Sequence, residues 1–398
     1  MAATVKTHRK LKMGMVGGGP GAFIGAVHRR AAQFDGDVEL VAGAFSSDPG
    51  KSAQAGHELY LDPKRVYPSY AEMARAEALL PAGERIDFVT IVTPNYRHYC
   101  VAECFLKAGF HVMCEKPMTF NLAEARKLHA LVRKTGLIFA LMHNYTGYPM
   151  VKLARDLARG GHLGTLRKIQ VEYPQGYLNK LAISGGGVAQ GKESTWRVDP
   201  AIAGASNCMG DIGTHAENLA EYISGLKMVQ LCADLTTFVK GRRLEDDGNV
   251  LVHWENGVKG ILSASQISVG HENDLSIRVY GEDAGLEWKQ EHPNQLHYKR
   301  SGEPIRIMSR GTDHVASLSA AAAAATRLPW GHPEAFYEAF ANVYRGACSA
   351  IRAAVMGGKI PKNALDYPDA DSGLRGMLFL DAVLKSAKAG AKWVKVGK

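Results

Sequence analysis

Cysteine is scarce in this chain: six in 398 residues, at Cys100, Cys104, Cys114, Cys208, Cys232 and Cys348, with no Cys-x-x-Cys pair. That excludes a disulfide scaffold, which a chain of this length does not need, and fits reduced thiols in a cytoplasmic protein. No Cys/His cluster has metal-ligand spacing, so no metal site is expected. No apolar run is long enough to cross a bilayer. Met1–Lys12 is basic but lacks the apolar stretch and small-residue cleavage site of a secretion signal, and is expected to be a disordered leader. Aromatic residues are not interleaved with lysine and arginine on any one segment, which argues against a nucleic-acid partner. The formal charge of +9 suits either a merely basic exterior or the steering of an anionic cofactor and an anionic substrate.

What is present is ordinary globular material, 46% hydrophobic and 22% charged, and too long for one domain. From residue 10 to residue 143 short apolar segments alternate with helical ones. The apolar segments are Leu11–Val16, Glu39–Phe45, Asp87–Val92, His111–Cys114 and Leu137–Met142, with a short one at Arg65–Tyr67. Helices are predicted over 22–34, 51–58, 69–80, 98–109 and 122–134. Such alternation predicts an α/β fold with a doubly wound parallel sheet. Past Asn144 the pattern changes. Longer strands with polar residues mixed in are predicted at 166–173, 228–238, 249–254, 258–266 and 275–281. Glu255-Asn256-Gly257 has the composition of a hairpin turn. A second domain over 144–398 follows, with a mainly antiparallel sheet covered on one face by helices. Helices close the chain near 333–355 and 371–389, and Ala320–Ala325 is a helix or a loop without chemistry.

Gly17-x-Gly19-x-x-Ala22, with Pro20 and Gly21 inside it, ends the first strand and opens the first helix. There the first glycine allows a tight turn, the second lets backbone approach a pyrophosphate, and the small third residue lets helix pack on strand. The second strand ought to end in an acidic residue that grips ribose hydroxyls, but Phe45 stands there, followed by Ser46, Ser47 and Asp48. Ser46 or Asp48 is expected to take over the ribose. No arginine follows directly for a 2′-phosphate, so NAD is preferred to NADP.

Ligands of an open parallel sheet bind at the C-terminal ends of its strands, where Thr93-Pro94-Asn95 and Glu115-Lys116-Pro117 lie. Lys116 has three readings there: an acid–base group, a phosphate ligand, or an ion-pair partner of Glu115. In Gly210-Asp211-Ile212-Gly213-Thr214-His215, a helix starting at Asp211 would put Asp and His on one side, one turn apart. Either the aspartate holds a substrate hydroxyl and the histidine takes its proton, or the pair is an N-cap and a buried structural imidazole.

The Gly17–Ala22 loop, Thr93-Pro94-Asn95 with His98, Glu115-Lys116-Pro117 and Gly210–His215 together resemble the glucose–fructose oxidoreductase / inositol dehydrogenase (Gfo/Idh/MocA) family. The resemblance extends over nearly the whole chain, including Ser372-Gly373-Leu374. It implies a Rossmann domain and a second α/β domain whose large open sheet forms a homodimer or homotetramer. It also implies a sugar or polyol between that sheet and a nicotinamide. By this resemblance Lys116 is the catalytic lysine, His215 the acid–base group and Asp211 a substrate ligand. Gly17, Gly19, Pro20, Gly21, Ala22, Phe45, Ser46, Ser47, Thr93, Asn95, His98, Glu115, Lys116 and Asn144 fall to the cofactor, with Asn95 and Glu115 at the nicotinamide ribose.

Tyr145 and Tyr148, at the domain junction, are placed either to bind sugar or to pack. Tyr177 opens a loop that, in the resembling family, crosses the substrate mouth and here reaches Lys192, Trp196 and Arg197. Trp196 would stack on a sugar ring and the two cations would hold an anionic group, or the loop is simply basic and exposed. His332 is a weaker candidate, and His111 and His143 are expected to be structural. Two activities suit this set. One is oxidation of a secondary hydroxyl of a sugar, glycoside or cyclitol with NAD. The other is hydrolysis of an acidic glycoside, such as a sulfosugar, by oxidation, elimination, hydration and re-reduction, with Tyr145 or Tyr177 abstracting a ring proton. The complete lysine and histidine motifs argue against a non-catalytic regulator.

Overall fold

The computed structural model describes residues 9–180, 198–360 and 365–397. Five parallel strands, β1 (Leu11–Gly17), β2 (Val38–Ala44), β3 (Phe88–Val92), β4 (His111–Cys114) and β5 (Phe139–Leu141), lie in the order β2-β1-β3-β4-β5. Both β3 and β4 are buried at every position, as strands covered on two faces must be. The helices between them are α1 (Phe23–Gln33), α2 (Pro49–Glu58), α3 (Tyr70–Leu79), α4 (His98–Lys107) and α5 (Leu122–Thr135). Local chemistry sets their ends. Asp48, Ser69 and Asn121 cap α2, α3 and α5 by accepting the backbone N–H groups of Lys51, Glu72 and Glu124 at 3.1, 3.2 and 3.0 Å. Asp48, an expected ribose ligand, is thus also the cap of α2. The short strand expected at Arg65–Tyr67 is a 3₁₀ turn, Pro63–Arg65, followed by a single bridge between Gly43 and Val66. Pro63 and the capping Asp62 favour that turn.

The second sheet has nine strands: β6 (Leu166–Pro174), β7 (Met228–Thr236), β8 (Asp247–Trp254), β9 (Lys259–Ser265), β10 (Ser276–Gly281), β11 (Ala284–Lys289), β12 (Gln295–Arg300), β13 (Arg306–Ser309) and β14 (Val394–Lys395). Their order is β13-β12-β11-β10-β6-β9-β8-β7-β14, with β6 and β9 parallel and the other described pairs antiparallel. The β8–β9 hairpin turns at Asn256 and Gly257, both with positive φ (57° and 78°), as their composition predicts. The sequence reading missed β11 to β14, which are short and rich in charged and polar residues.

Helices α6 (Pro149–Arg159), Thr214–Ser224 and Ala370–Lys388 cover one face of this sheet. The opposite face carries the cross-strand row Cys232, Leu251, Ile261, Gln170, Arg278, Glu287, His297 and Ile307, none of them buried. Among the described residues, no helix is long and apolar enough to cross a membrane.

Two late helices return to the parallel-sheet domain. Phe336–Val355 packs on α1, and Ala370–Lys388 packs on α5 and β5 as well as on β7. Asn342 fastens the first of these by donating to the carbonyls of Gly147 (2.8 Å) and Ala325 (2.9 Å). The contact at Gly147 is so close that a Cβ there would lie 2.0 Å from the Ala339 carbonyl oxygen. Gly147→Ala is expected to destabilise the fold by about 1–3 kcal/mol through overpacking. Denaturant unfolding checks this, and an unchanged midpoint would show that the helix does not need so close an approach.

Candidate active site

A cleft of about 1410 Å³ runs from the glycine loop to the end of the second sheet. That exceeds the usual span of single small-ligand sites, about 300–1,000 Å³, and leaves room for a dinucleotide with a second molecule. On its first side the glycine loop fits tightly between strand ends. A Cβ at Gly17 (φ 83°) would lie 2.7 Å from the Val92 carbonyl oxygen, and one at Gly19 would lie 2.8 Å from that of Phe45. Gly17, Gly19, Pro20, Gly21, Ala22, Phe45, Ser46, Ser47, Thr93, Asn95, Glu115, Lys116 and Asn144 all border the cleft. Thr93 Oγ1 and Asn144 Nδ2 are buried with no hydrogen-bond partner among the described residues. Buried polar atoms are rarely left so, and two of them in a cleft beside a dinucleotide loop fit a ligand with polar groups of its own.

One expected cofactor contact falls elsewhere. His98 is buried, with Nδ1 2.7 Å from the Pro117 carbonyl oxygen and Nε2 2.9 Å from that of Thr93, and it donates to one of them. It ties two strand-end loops together and does not border the cleft. Phe45 turns its ring inward, where a Cβ on Gly43 would come within 2.2 Å of it, and offers the cleft little but backbone. Ser46 Oγ accepts the Asp48 N–H at 3.1 Å. Lys51, which the sequence reading passed over, borders the cleft beside these serines.

On the second side, Lys116 Nζ donates to the Asp211 carbonyl oxygen at 2.6 Å and to Asp211 Oδ1 at 2.7 Å. Its partner is thus Asp211 and not Glu115, whose Oε1 lies 2.7 Å from His28 Nε2. Burial opposes ionisation of Glu115, but the His28 hydrogen bond and nearby positive charge hold its pKa below the ordinary carboxylate value. Asp211 does not start a helix. It sits in a π turn, Met209–Gly213, from which helix Thr214–Ser224 continues. Its Oδ2 accepts from Gln266 Nε2 at 3.0 Å and from the Tyr177 hydroxyl at 3.4 Å.

His215 is buried with its Nδ1 3.3 Å from His143 Nδ1 and its ring centroid 4.8 Å from that of Tyr145. Burial, then the charge of Lys116 and the neighbouring His143, lower its pKa well below 6.5. His143, expected to be structural, is the ring that meets it, and burial brings its own pKa to about 3. His111 only accepts the Ile138 N–H at 2.9 Å, and His332 does not border the cleft.

Tyr145 and Tyr177 border the cleft, joined by Tyr173, Gln175, Glu272, Asn273 and Gln290, which sequence reasoning missed. Asn273 Oδ1 accepts from Tyr173 (2.7 Å) and Gln175 (2.6 Å), its Nδ2 donates to Tyr145 (3.2 Å), and the two tyrosine hydroxyls bond each other. The available signal was position, since these residues lie at or just beyond the ends of β6, β10 and β11. Lys192, Trp196 and Arg197 lie outside the described residues.

This fold and this cleft define an oxidoreductase that works with a dinucleotide. A model of an oxidoreductase family with an NAD-binding Rossmann fold matches residues 11–143, and one of the GFO/IDH/MocA C-terminal domain matches residues 151–287. The chain belongs to the Gfo/Idh/MocA family, and its first domain is an NAD-binding Rossmann domain. It is 35% identical over 390 residues to an uncharacterised oxidoreductase of Bacillus subtilis, YfiI, covering 97% of each chain. The crystal structure of an oxidoreductase from Sinorhizobium meliloti is 45% identical, with a TM-score of 0.86, over 97% of this chain and 100% of that one. An inositol dehydrogenase homologue from Azotobacter vinelandii, solved with NADH and myo-inositol, is 32% identical with a TM-score of 0.87, over 97% and 98%.

The buried histidines set two pH effects. If His215 is the group that takes a proton, the acid limb of kcat/KM is expected below pH 6.5, the ordinary histidine value. A limb above about pH 7 would remove His215 from that role. Stability follows the same sign. His143 and His215 have folded pKa values below their unfolded ones, so their contribution is complete above pH 6.5 and falls as pH drops below it. Urea unfolding at about pH 7 and about pH 5 is expected to show the loss, and His143→Gln to reduce it.

Proposed function

We propose that the protein oxidises a secondary hydroxyl of a sugar, glycoside or cyclitol with NAD, with Lys116 and His215 managing the hydroxyl proton. The observation that carries this is convergence. Lys116 from the end of β4, Asp211 and His215 from the second domain, and the glycine loop all border one cleft. Bound nicotinamide supplies the hydride acceptor. The Lys116 ammonium, aimed by Asp211, stabilises negative charge on the reacting oxygen. His215, held neutral by burial, accepts the proton. Asp211, with Gln266 and Tyr177 on its other oxygen, orients the hydroxyl. The phenols and amides of Tyr145, Tyr173, Gln175 and Asn273 suit the remaining hydroxyls of a polyol. Burial raises the pKa of Tyr145, which works against its use as the ring-proton base of an oxidoreductive glycosidase and leaves Tyr177 for that role. The cations expected to favour an acidic glycoside are Lys192 and Arg197.

The test is NADH formation against a panel of sugars, cyclitols and aryl glycosides, with aglycone release followed in parallel. Lys116→Ala is expected to lower kcat/KM by about 10²–10⁴-fold. Retention of most of the rate would sink the assignment, and NAD-dependent aglycone release without NADH would replace it with the glycosidase.

We also read the uncovered face of the nine-stranded sheet as a homodimer or homotetramer interface, and the free cysteines Cys100, Cys104, Cys114, Cys208, Cys232 and Cys348 as those of a cytoplasmic protein. Leu251 and Ile261 lie side by side at the centre of that face, with Leu251 51% exposed. Light scattering is expected to give a multiple of 43.0 kDa that Leu251→Lys reduces. A monomeric wild-type chain would refute this reading.

A further inference from the structure

Glu115 borders the cleft, yet its firmest hydrogen bond points away from it. The acceptor Oε1 meets His28 Nε2 at 2.7 Å, and His28 Nδ1 meets the Tyr344 hydroxyl at 2.7 Å. That hydroxyl is 3.1 Å from Thr90 Oγ1, which in turn lies 3.3 Å from Met13 Sδ. His28 is wholly buried on α1, and Tyr344 is buried on helix Phe336–Val355. Phe340 of the same helix packs edge-on against the His28 ring, with centroids 5.2 Å apart, and itself borders the cleft.

Proton bookkeeping gives this chain a direction. A neutral imidazole carries one N–H. Placed on Nε2, it donates to the Glu115 carboxylate, and Nδ1 then accepts from Tyr344. The other tautomer would set the Nε2 lone pair against a carboxylate oxygen at 2.7 Å. In either charge state His28 Nε2–H donates to Glu115, and with the ring neutral the Tyr344 hydroxyl donates to Nδ1. The second carboxylate oxygen, Oε2, accepts the Lys116 backbone N–H at 3.1 Å. A carboxylate gripped at both oxygens has one orientation, and its remaining lone pairs are left for a ligand.

We propose that His28 and Tyr344 are positioning residues for the cofactor, which fix the Glu115 carboxylate at the cleft through the chain Tyr344 to His28 to Glu115. Helix Phe336–Val355 thereby reaches the NAD site through Glu115. The inference rests on Glu115 facing the cofactor. It does not need the roles of Lys116 and His215, and its deciding readout, the dissociation constant of NAD, is taken without substrate.

The experiment measures the dissociation constant of NAD by calorimetry, in the full chain, for wild type, Tyr344→Phe, His28→Leu, His28→Gln and Glu115→Gln. KM for NAD, kcat and the unfolding midpoint are taken alongside. Tyr344→Phe and His28→Leu are expected to weaken NAD binding by about tenfold or more, and to raise KM for NAD more than they change kcat. His28→Gln keeps an N–H donor near the Nε2 position and is expected to recover most of the affinity. In a Glu115→Gln background, Tyr344→Phe is expected to add little further loss. Wild-type NAD affinity in Tyr344→Phe and in whichever His28 variants fold would overturn the proposal. So would an equal loss in the Glu115→Gln background, since the chain would then act elsewhere. If NAD binds as expected but no polyol is oxidised, the dehydrogenase reading fails and this one stands.

Discussion

The ion pair between Lys116 and Asp211 is the contact on which the site depends. It joins the end of a strand in one domain to a turn in the other, and its two side chains are only 13% and 17% exposed. A pair so withdrawn from water has a desolvation cost that Coulomb attraction offsets only in good geometry. Here the ammonium has two acceptors on one residue, the Asp211 carboxylate and its carbonyl. Separating the domains would leave the lysine at a strand end with its acceptors gone. The chemistry is therefore conditional on docking, and much of the remaining architecture holds that docking in place.

The late helices do this from both flanks. Phe336–Val355 lies on α1 and is clamped to the Asn144–Gly147 turn by Asn342, so the turn that presents Asn144 and Tyr145 has little freedom. Ala370–Lys388 spans from α5 and β5 to β7, bridging the two sheets. The π turn at Asp211 adds a local device. Gly210 and Gly213 suit a widened turn, and Ser206 Oγ accepts the Gly210 N–H at 2.8 Å while itself bonded to the buried Glu245. Asp211 is set by backbone that has its own anchors, so the lysine meets a fixed partner.

Features that are contiguous in sequence were legible before the fold was known. The glycine loop declares itself because three small residues at fixed spacing answer one geometric demand. Strand alternation up to Leu141 likewise needs only local patterning. Legibility ends where a side chain's surroundings come from far along the chain. Glu115 meets His28, 87 residues away, and Lys116 meets Asp211, 95 away, and no spacing rule relates them. Phe45 stood where an acid was sought, and only the space above Gly43 shows that its ring turns inward. His143 gave no sign of its partner because His215 approaches from another domain. The strands β11 to β14 were lost for a different reason, since six residues or fewer with charges on one side give too short a period to read.

The atoms left without partners carry the argument about selectivity. Thr93 Oγ1, Asn144 Nδ2, Gln175 Oε1 and Gln266 Oε1 are buried and have no partner among the described residues, in side chains that border the cleft or hold Asp211 at its edge. An unsatisfied buried polar atom costs about 1–3 kcal/mol, so a site with several of them is under tension until a ligand answers them. A ligand with hydroxyls or amides at those places relieves the tension, whereas one lacking them leaves it intact. Such sites reject a missing hydroxyl far more strongly than they reject an extra methylene. Thr93 lies against the glycine loop, and the acceptors Gln175 and Gln266 lie on the sheet side with Tyr173 and Asp211. The sheet side of the cleft thus seeks hydrogen-bond donors from a ligand, and discrimination among ligands is expected to arise there.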